Sequence, residues 1–439
     1  MTHNGFHVGI VGGGIGGLAL AQGLKKAGIS VALYERDRTP TDRLQGYRVH
    51  ISPKGSVALH QCLPSDLFNI FAATCSVGNE GFRFLSEKME DLLSIEARGD
   101  PRAIARHWSA SRITLRQVLL SGLDGIVQFA RNFTYYEETA DRPIVLHFAD
   151  GSTASCDVLV GADGGNSHVR HQFLPHTQRV DTGAVGIAAK VMLTDENRRR
   201  LPPRVLEGTG LVMSPGRRGM FIGLHEFADN APAMPVSSGD RGTEPTDRST
   251  GALLDNTTSY VFWAYGGLRR DLERGQPLEQ LAPPDLQRLV LDRIRNWHPD
   301  YSVLVCASDP STFNVTSIKT SVPVAPWQTR RITLIGDAIH SMTPYRGIGA
   351  NIALRDAALL CANLKDAAIG ACAIEAAIND YERQMREYGF AAVRASLQAL
   401  QQSVSDKGIG FRLRKLFFRA VNVTPPLKRL VFANLGEEP

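Results

Sequence analysis

The sequence predicts an α/β protein. A discontinuous Rossmann-like nucleotide-binding module is interleaved with an antiparallel β-sheet module and followed by a C-terminal helical segment. Three observations carry this expectation. Near the N-terminus an apolar strand runs straight into a glycine-rich loop and a helix. Two further segments, in the middle and late chain, again end a strand in glycine and an acid. Ile144 to Phe148, Met220 to Phe227 and Ser259 to Tyr265 are strand-like runs with few helices separating them, the pattern of a separate antiparallel sheet.

The first unit opens with Phe6 to Val11 (FHVGIV), a short buried strand. Gly12 to Gly17 (GGGIGG) follows, and Leu18 to Ala27 has helical spacing with Leu18, Ala21 and Leu24 on one side. Gly28 is a natural helix stop, and Ile29 to Tyr34 forms a second strand ending at Glu35. In this βαβ unit Gly12 permits the tight turn, Gly14 lets a pyrophosphate approach the backbone, and Gly17 lets helix and strand pack closely. The helix N-terminus offers free N–H groups and a positive dipole end to the phosphates. Glu35 follows by about 20 residues, where a carboxylate accepts hydrogen bonds from ribose hydroxyls and repels a 2′-phosphate. The site therefore suits FAD or NAD rather than NADP.

The second motif is Asp157 to Ser167, in which a branched apolar strand runs into Gly161-Ala162-Asp163-Gly164. The third is Leu334-Ile335-Gly336-Asp337-Ala338-Ile339-His340, then Gly347, Gly349, Ala350 and Asn351 opening a helix that carries Asp356. Asp337 can accept hydrogen bonds from a polyol chain. The N–H groups of Gly347 to Asn351 can face a ring carbonyl that gains negative charge on reduction.

Together and in this order, the three motifs resemble the class A flavoprotein monooxygenases, the family of para-hydroxybenzoate hydroxylase and the aromatic-ring hydroxylases. The resemblance runs from Val8 to about Asp380. It implies that Gly12, Gly14, Gly17 and Glu35 bind the ADP half of FAD. Asp163-Gly164 would serve both FAD and a transiently bound NADPH or NADH. Gly336-Asp337 would bind the ribityl chain, and the following glycine loop the isoalloxazine. Arg112, ahead of Leu115-Arg116-Gln117-Val118-Leu119, matches an arginine that contacts the flavin nucleotide; alone it would read as a solvated helix charge. The implied activity is hydroxylation or epoxidation of a mainly apolar aromatic or natural-product substrate with O2, through a C4a-hydroperoxyflavin. The chain has no second GxGxxG for a resident nicotinamide, and it lacks the W-x-W-x-I-P segment of halogenases on this fold. A flavin dehydrogenase or reductase without oxygen insertion, and a non-catalytic FAD-binding protein, stay open.

Where the family often has Gly-x-Gly, this chain reads Gln45-Gly46-Tyr47-Arg48-Val49-His50-Ile51. Arg48 and His50 alternate onto one face of a short strand that should pass beside the flavin. They are catalytic candidates, stabilising reduced flavin or orienting substrate; alternatively Arg48 binds a cofactor hydroxyl or phosphate and His50 is packed. In the sheet module Phe221, His225, Phe227, Tyr260, Phe262, Trp263 and Tyr265 either line an apolar pocket or form core. His225 is a candidate base, with a structural histidine as the alternative, and Lys190 is a candidate for the same pocket.

The expected modules are 1–75, 106–178 and 286–400 for the nucleotide, 76–105 and 179–285 for the substrate, and 401–439 for a helical tail. Asn230 to Asn256 reads as a long polar loop, expected to be mobile. The 439 residues are 43% hydrophobic and 21% charged, which fits a globular protein with a large core. A net charge of +5, spread along the chain, gives no reason to expect a nucleic-acid partner. The six cysteines form no C-x-x-C pair or zinc spacing, so no metal is expected and they read as buried thiols in a reducing cytoplasm. No stretch approaches a membrane span, and the N-terminus does not read as a signal peptide. The basic, apolar tail allows weak peripheral membrane contact through Arg412, Arg414, Lys415 and Arg419, or docking on the protein itself. The chain is expected to be a monomer or homodimer.

Overall fold

A computed structural model describes residues 5–40, 42, 47–76, 81–96, 103–139, 143–216, 218–227, 258–404, 409–424 and 426–428. The expected loop at Asn230 to Asn256, together with Gln45 and Gly46, lies outside the described residues.

The nucleotide module is built on a five-stranded parallel sheet. Its order is Ile332–Leu334, Val158–Gly161, His7–Val11, Ser30–Tyr34 and Val127–Gln128. His7–Val11 lies at its centre, with Val8 paired to both Val31 and Val158. Covered on both faces, it needs the unbroken apolar run that the sequence supplies. The helix Ile15–Lys26 leaves directly from the glycine loop. It ends where Gly28, at φ +73°, lets the Ile29 N–H return to the Leu24 carbonyl at 2.9 Å.

The sheet module is a mixed seven-stranded sheet. Its order is Asn314–Ser321, Arg179–Met192, Tyr260–Leu268, Arg218–His225, Thr209–Ser214, Phe82–Ser86 and Asp91–Ile95. All neighbours are antiparallel except Thr209–Ser214 with Phe82–Ser86. Two expectations change here. Ile144–Phe148 does not join this sheet but pairs with Phe133–Glu137 and Thr153–Cys156 in a three-stranded sheet of its own. Its buried residues, Ile144, Leu146 and Phe148, pack into the nucleotide-module core. Asn314–Ser321 pairs with Arg179–Met192, so the sheet takes in chain beyond position 285, the expected end of its module.

Alternation along the strands decides which aromatics face the cleft. Trp263 and Tyr265 point to the far side, into a core with Val290 and Tyr301 of the covering helices and Trp297 of the connection between them. They are core, not pocket lining. Tyr260 and Phe262, two residues apart, take the opposite face, with Phe221 and His225 alongside by register.

The tail helix Ile409–Asn422 docks on this sheet's edge. Phe411 and Phe418 pack against Leu92, Met213 and Phe84, while Lys415 and Arg419 reach Glu87 and Glu90 at 2.6 and 2.8 Å. Leu413, Leu416 and Phe417 remain exposed. No helix among the described residues is long and apolar enough to cross a membrane. The cysteines are not uniformly buried: Cys306, at the end of Pro299–Cys306, and Cys372, between two helices, are exposed.

Candidate active site

The glycine loop is fixed by two close approaches. A Cβ on Gly12, whose φ is +111°, would stand 2.4 Å from the Ala162 carbonyl oxygen, and one on Gly17 would stand 2.1 Å from that of Gly12. Gly14 differs: a Cβ there would meet nothing within 4 Å. Gly14 caps the helix without any side-chain hydrogen bond, so the first-turn N–H groups face open space. The buried Glu35 carboxylate accepts from the Gly13 N–H at 2.5 Å and the Asp37 N–H at 2.9 Å. It thus braces the loop, and each oxygen keeps a lone pair for a ribose hydroxyl.

Sequence reasoning singled out Arg112, which lies exposed at the start of the helix Arg112–Leu120. It passed over Arg116, one turn on, which is buried. Arg116 donates to the Gly13 carbonyl at 3.3 Å and to the Pro40 carbonyl, and stands 3.9 Å from Asp37. The signal was present: an arginine on the inward, leucine-bearing face of an amphipathic helix needs internal acceptors.

The second and third motifs meet. Asp163 accepts from the His168 N–H at 2.7 Å at the start of the helix His168–Phe173, which Ser167 caps, while its Oδ1 is buried without a partner. Gly164 turns the chain at φ +77°. Arg170 ties this loop to the third motif, donating to the carbonyls of Ala338 at 2.8 Å and Gly165 at 3.0 Å. Gly336 adopts φ +59°, and Asp337 presents an exposed carboxylate with no hydrogen bond among the described residues. Beneath it, the fully buried Asp356 accepts from the Gly336 N–H at 2.7 Å and from the Tyr388 hydroxyl at 2.6 Å. Gly347 turns in the left-handed region at φ +65°, and Gly349 and Ala350 open the helix Gly349–Ala368. Asn351 is buried; its amide donates to the His50 carbonyl at 3.0 Å and accepts from the Ser52 N–H at 2.8 Å. It thereby fastens that helix to the Arg48 strand.

Arg48–Ile51 pairs with Trp108–Ser111. Arg48 donates from Nε to the Ser109 hydroxyl at 2.5 Å, and His50 Nε2 lies 2.9 Å from His107 Nδ1. Burial pushes His50 down to about 3, helped by the positive charge of Arg48. It is a neutral, paired histidine. His225 is fully buried and stacked on Tyr260, with ring centroids 5.1 Å apart. Burial, then the cations Arg48 and Lys190, push it down to about 3 as well. Lys190 is also fully buried, its ammonium 4.5 Å from the Tyr260 ring centroid. Burial lowers Arg48 itself to about 10. Arg48, Lys190, His225 and Tyr260 thus form one electropositive corner, which sequence spacing alone could not assemble.

The open helix end at Gly14, the free carboxylate of Asp337 and the exposed guanidinium of Arg112 suit a dinucleotide with a polyol arm. Residues 6–250 and 273–396 match a family described as an FAD binding domain. The chain belongs to this family of class A flavin monooxygenases. A solved structure from Photorhabdus luminescens subsp. laumondii, assigned as an FAD containing monooxygenase, is 34% identical and superposes with a TM-score of 0.77 over 91% of this chain and 99% of that one. The dual O-methyltransferase/FAD-dependent monooxygenase elcB of Phaeosphaeria nodorum is 31% identical over 80% of this chain but 39% of that protein. This chain spans about two-fifths of the length of such dual-function relatives. The FAD-dependent urate hydroxylase of Klebsiella pneumoniae subsp. pneumoniae is 29% identical over 85% of this chain and 84% of that protein.

Proposed function

We propose that the protein is an FAD-dependent monooxygenase. It consumes NADPH or NADH and places one oxygen atom from O2 on a mainly apolar, aromatic or natural-product substrate by hydroxylation or epoxidation. The observation that carries this reading is the placement of the cleft. The sheet face bearing Phe221 and Phe262 lies across from the loop of the third motif, with a Cβ on Gly266 standing 3.1 Å from the Tyr345 hydroxyl.

FAD, when bound, would supply the redox chemistry, uptake of electrons from the nicotinamide and activation of dioxygen. The chain's own residues bind, orient and shield. The N-terminus of Ile15–Lys26 holds the pyrophosphate, Glu35 a ribose, and Arg112 and Asp337 the rest of the nucleotide and ribityl chain. The helix Gly349–Ala368 starts without a side-chain cap, leaving its N–H groups to stabilise negative charge on the reduced ring. The sheet excludes water above it, which limits loss of activated oxygen as hydrogen peroxide. His50 and His225, both held neutral, orient rather than carry charge.

The test is NADPH and NADH oxidation under labelled O2 across phenols, indoles, quinolones and polyenes. A substrate should accelerate coenzyme oxidation, lower the peroxide released and acquire one labelled oxygen. A desaturated or hydrogenated product without label would make the protein a flavin dehydrogenase or reductase instead.

A further inference from the structure

The sheet face across from the third-motif loop has a floor of small residues. Gly186, Ala188, Ala264 and Gly266 share it, Gly186 pairing with Gly266 and Ala188 with Ala264. Gly266 is small for a local reason, the Tyr345 hydroxyl that a Cβ would press. Gly186 has no such reason. It sits in a strand paired on both sides, outside the left-handed region, and a Cβ there would meet nothing within 4 Å. A glycine inside a strand weakens it, so neither backbone nor packing explains this one. Space over the floor does.

That floor leads to a buried imidazole without a hydrogen-bond partner and to two cations. His225, on the same face, is fully buried, and neither ring nitrogen has a hydrogen-bond partner. Arg48 reaches over this end, its Cδ 3.3 Å from where a Gly223 Cβ would stand. No carboxylate among the described residues forms an ion pair with Arg48; its Nε is held by Ser109. Lys190 adds a second cation on the same face, its backbone opposite Phe262. From Gly186 to Lys190 the strand rises about 13 Å, longer than a single aromatic ring.

We infer that the substrate is a flat, fused-ring aromatic carrying an acidic phenol or enol oxygen. Its rings lie on the Gly186, Ala188 and Ala264 floor, its oxyanion is docked by Arg48, and a neighbouring hydroxyl hydrogen-bonds to His225. The inference rests on the reading of this cleft as the oxygenase's substrate site. Its physical basis is the match of an uncompensated cation with an oxyanion, and of a side-chain-free floor with a planar ring system. The neutral imidazole offers one acceptor and one donor nitrogen, so it suits a hydroxyl beside the anion.

The experiment uses FAD-loaded protein and calorimetric titration, without coenzyme. The probes are 2-hydroxyanthraquinone, its O-methyl ether, and the single-ring phenol 4-hydroxyacetophenone. The fused phenol should bind at least about tenfold more tightly than either comparator. Gly186→Leu should remove that advantage over the single ring while keeping the flavin bound, and Ala264→Leu should do the same if Gly186→Leu folds poorly. Arg48→Met should bring phenol and ether to equal affinity. Equal binding of phenol and ether by the parent protein, or an unchanged fused-ring affinity in both floor variants, overturns the inference. The labelled-oxygen assay separates the two readings. Expected binding without label in any product defeats the oxygenase reading alone; label in single-ring phenols and none in fused ones defeats this inference alone.

Discussion

The Asp356 carboxylate lies 2.6 Å from Nε2 of His340, and neither side chain reaches solvent. The same Oδ2 accepts the Gly336 N–H at 2.7 Å, at the residue before Asp337. One buried anion therefore holds the left-handed turn that presents Asp337. Burial opposes a charged His340, but the Asp356 and Asp337 carboxylates outweigh it and raise its pKa. Asp356→Ala would leave that imidazole and the Tyr388 hydroxyl without their acceptor. The expected cost is about 3–5 kcal/mol of stability, together with weaker FAD retention. Urea unfolding and FAD titration measure both; unchanged values would mean the turn holds itself.

Glycines of the first loop should fail in different ways. Gly14→Val adds a side chain where the protein has open space, so the protein should fold with a normal far-ultraviolet spectrum yet purify colourless. Gly17→Ala drives its Cβ to 2.1 Å from the Gly12 oxygen, so that variant should lose stability with or without FAD. A yellow Gly14→Val protein with parent-like affinity would remove the pyrophosphate from this loop.

Arg112 and Arg116 should also separate. Arg112→Ala and Asp337→Ala each delete an exposed charge and should weaken FAD binding by about 1–3 kcal/mol, leaving the apoprotein's melting temperature in place. Arg116→Met strips two carbonyls of their buried donor and should lower the apoprotein's melting temperature itself. Equal melting losses in all three would erase the distinction between cofactor contact and loop brace.

How much of this was legible in the sequence follows from range. The βαβ unit was legible because Gly17 and Gly28 act within a few residues of themselves, although the Ala162 backbone that crowds Gly12 lies 150 residues away. The partners of Glu35, Arg116 and Asp356 were not, since each satisfies a backbone group whose position depends on the fold. Asn351 joins its helix to His50, 301 residues away along the chain; no local pattern announces that contact. The aromatic strands were legible as strands, but separating Phe262 from Trp263 required knowing which face the helices cover. Placing Ile144–Phe148 failed for a related reason: alternation marks a strand without naming its neighbours.

His225 gives the sharpest pH expectation. Its folded value near 3 lies below the ordinary value of about 6.5 that it regains on unfolding. Between those values the unfolded chain binds a proton that the folded one refuses. Stability must therefore rise with pH across the window and fall on acidification from about 6.5 towards 3, by at most about 1.4 kcal/mol per pH unit from this residue. His50 acts with the same sign, since it too is pushed down to about 3. His225→Phe keeps an apolar ring beside Tyr260 and Phe227 but removes the titrating group. Urea unfolding at FAD saturation, from pH 7 down to the acid limit of solubility, should give a shallower decline for the variant than for the parent, the difference approaching one proton. Parallel curves would show that His225 takes up its proton in the folded state, and that its imidazole is not the neutral group facing the cleft.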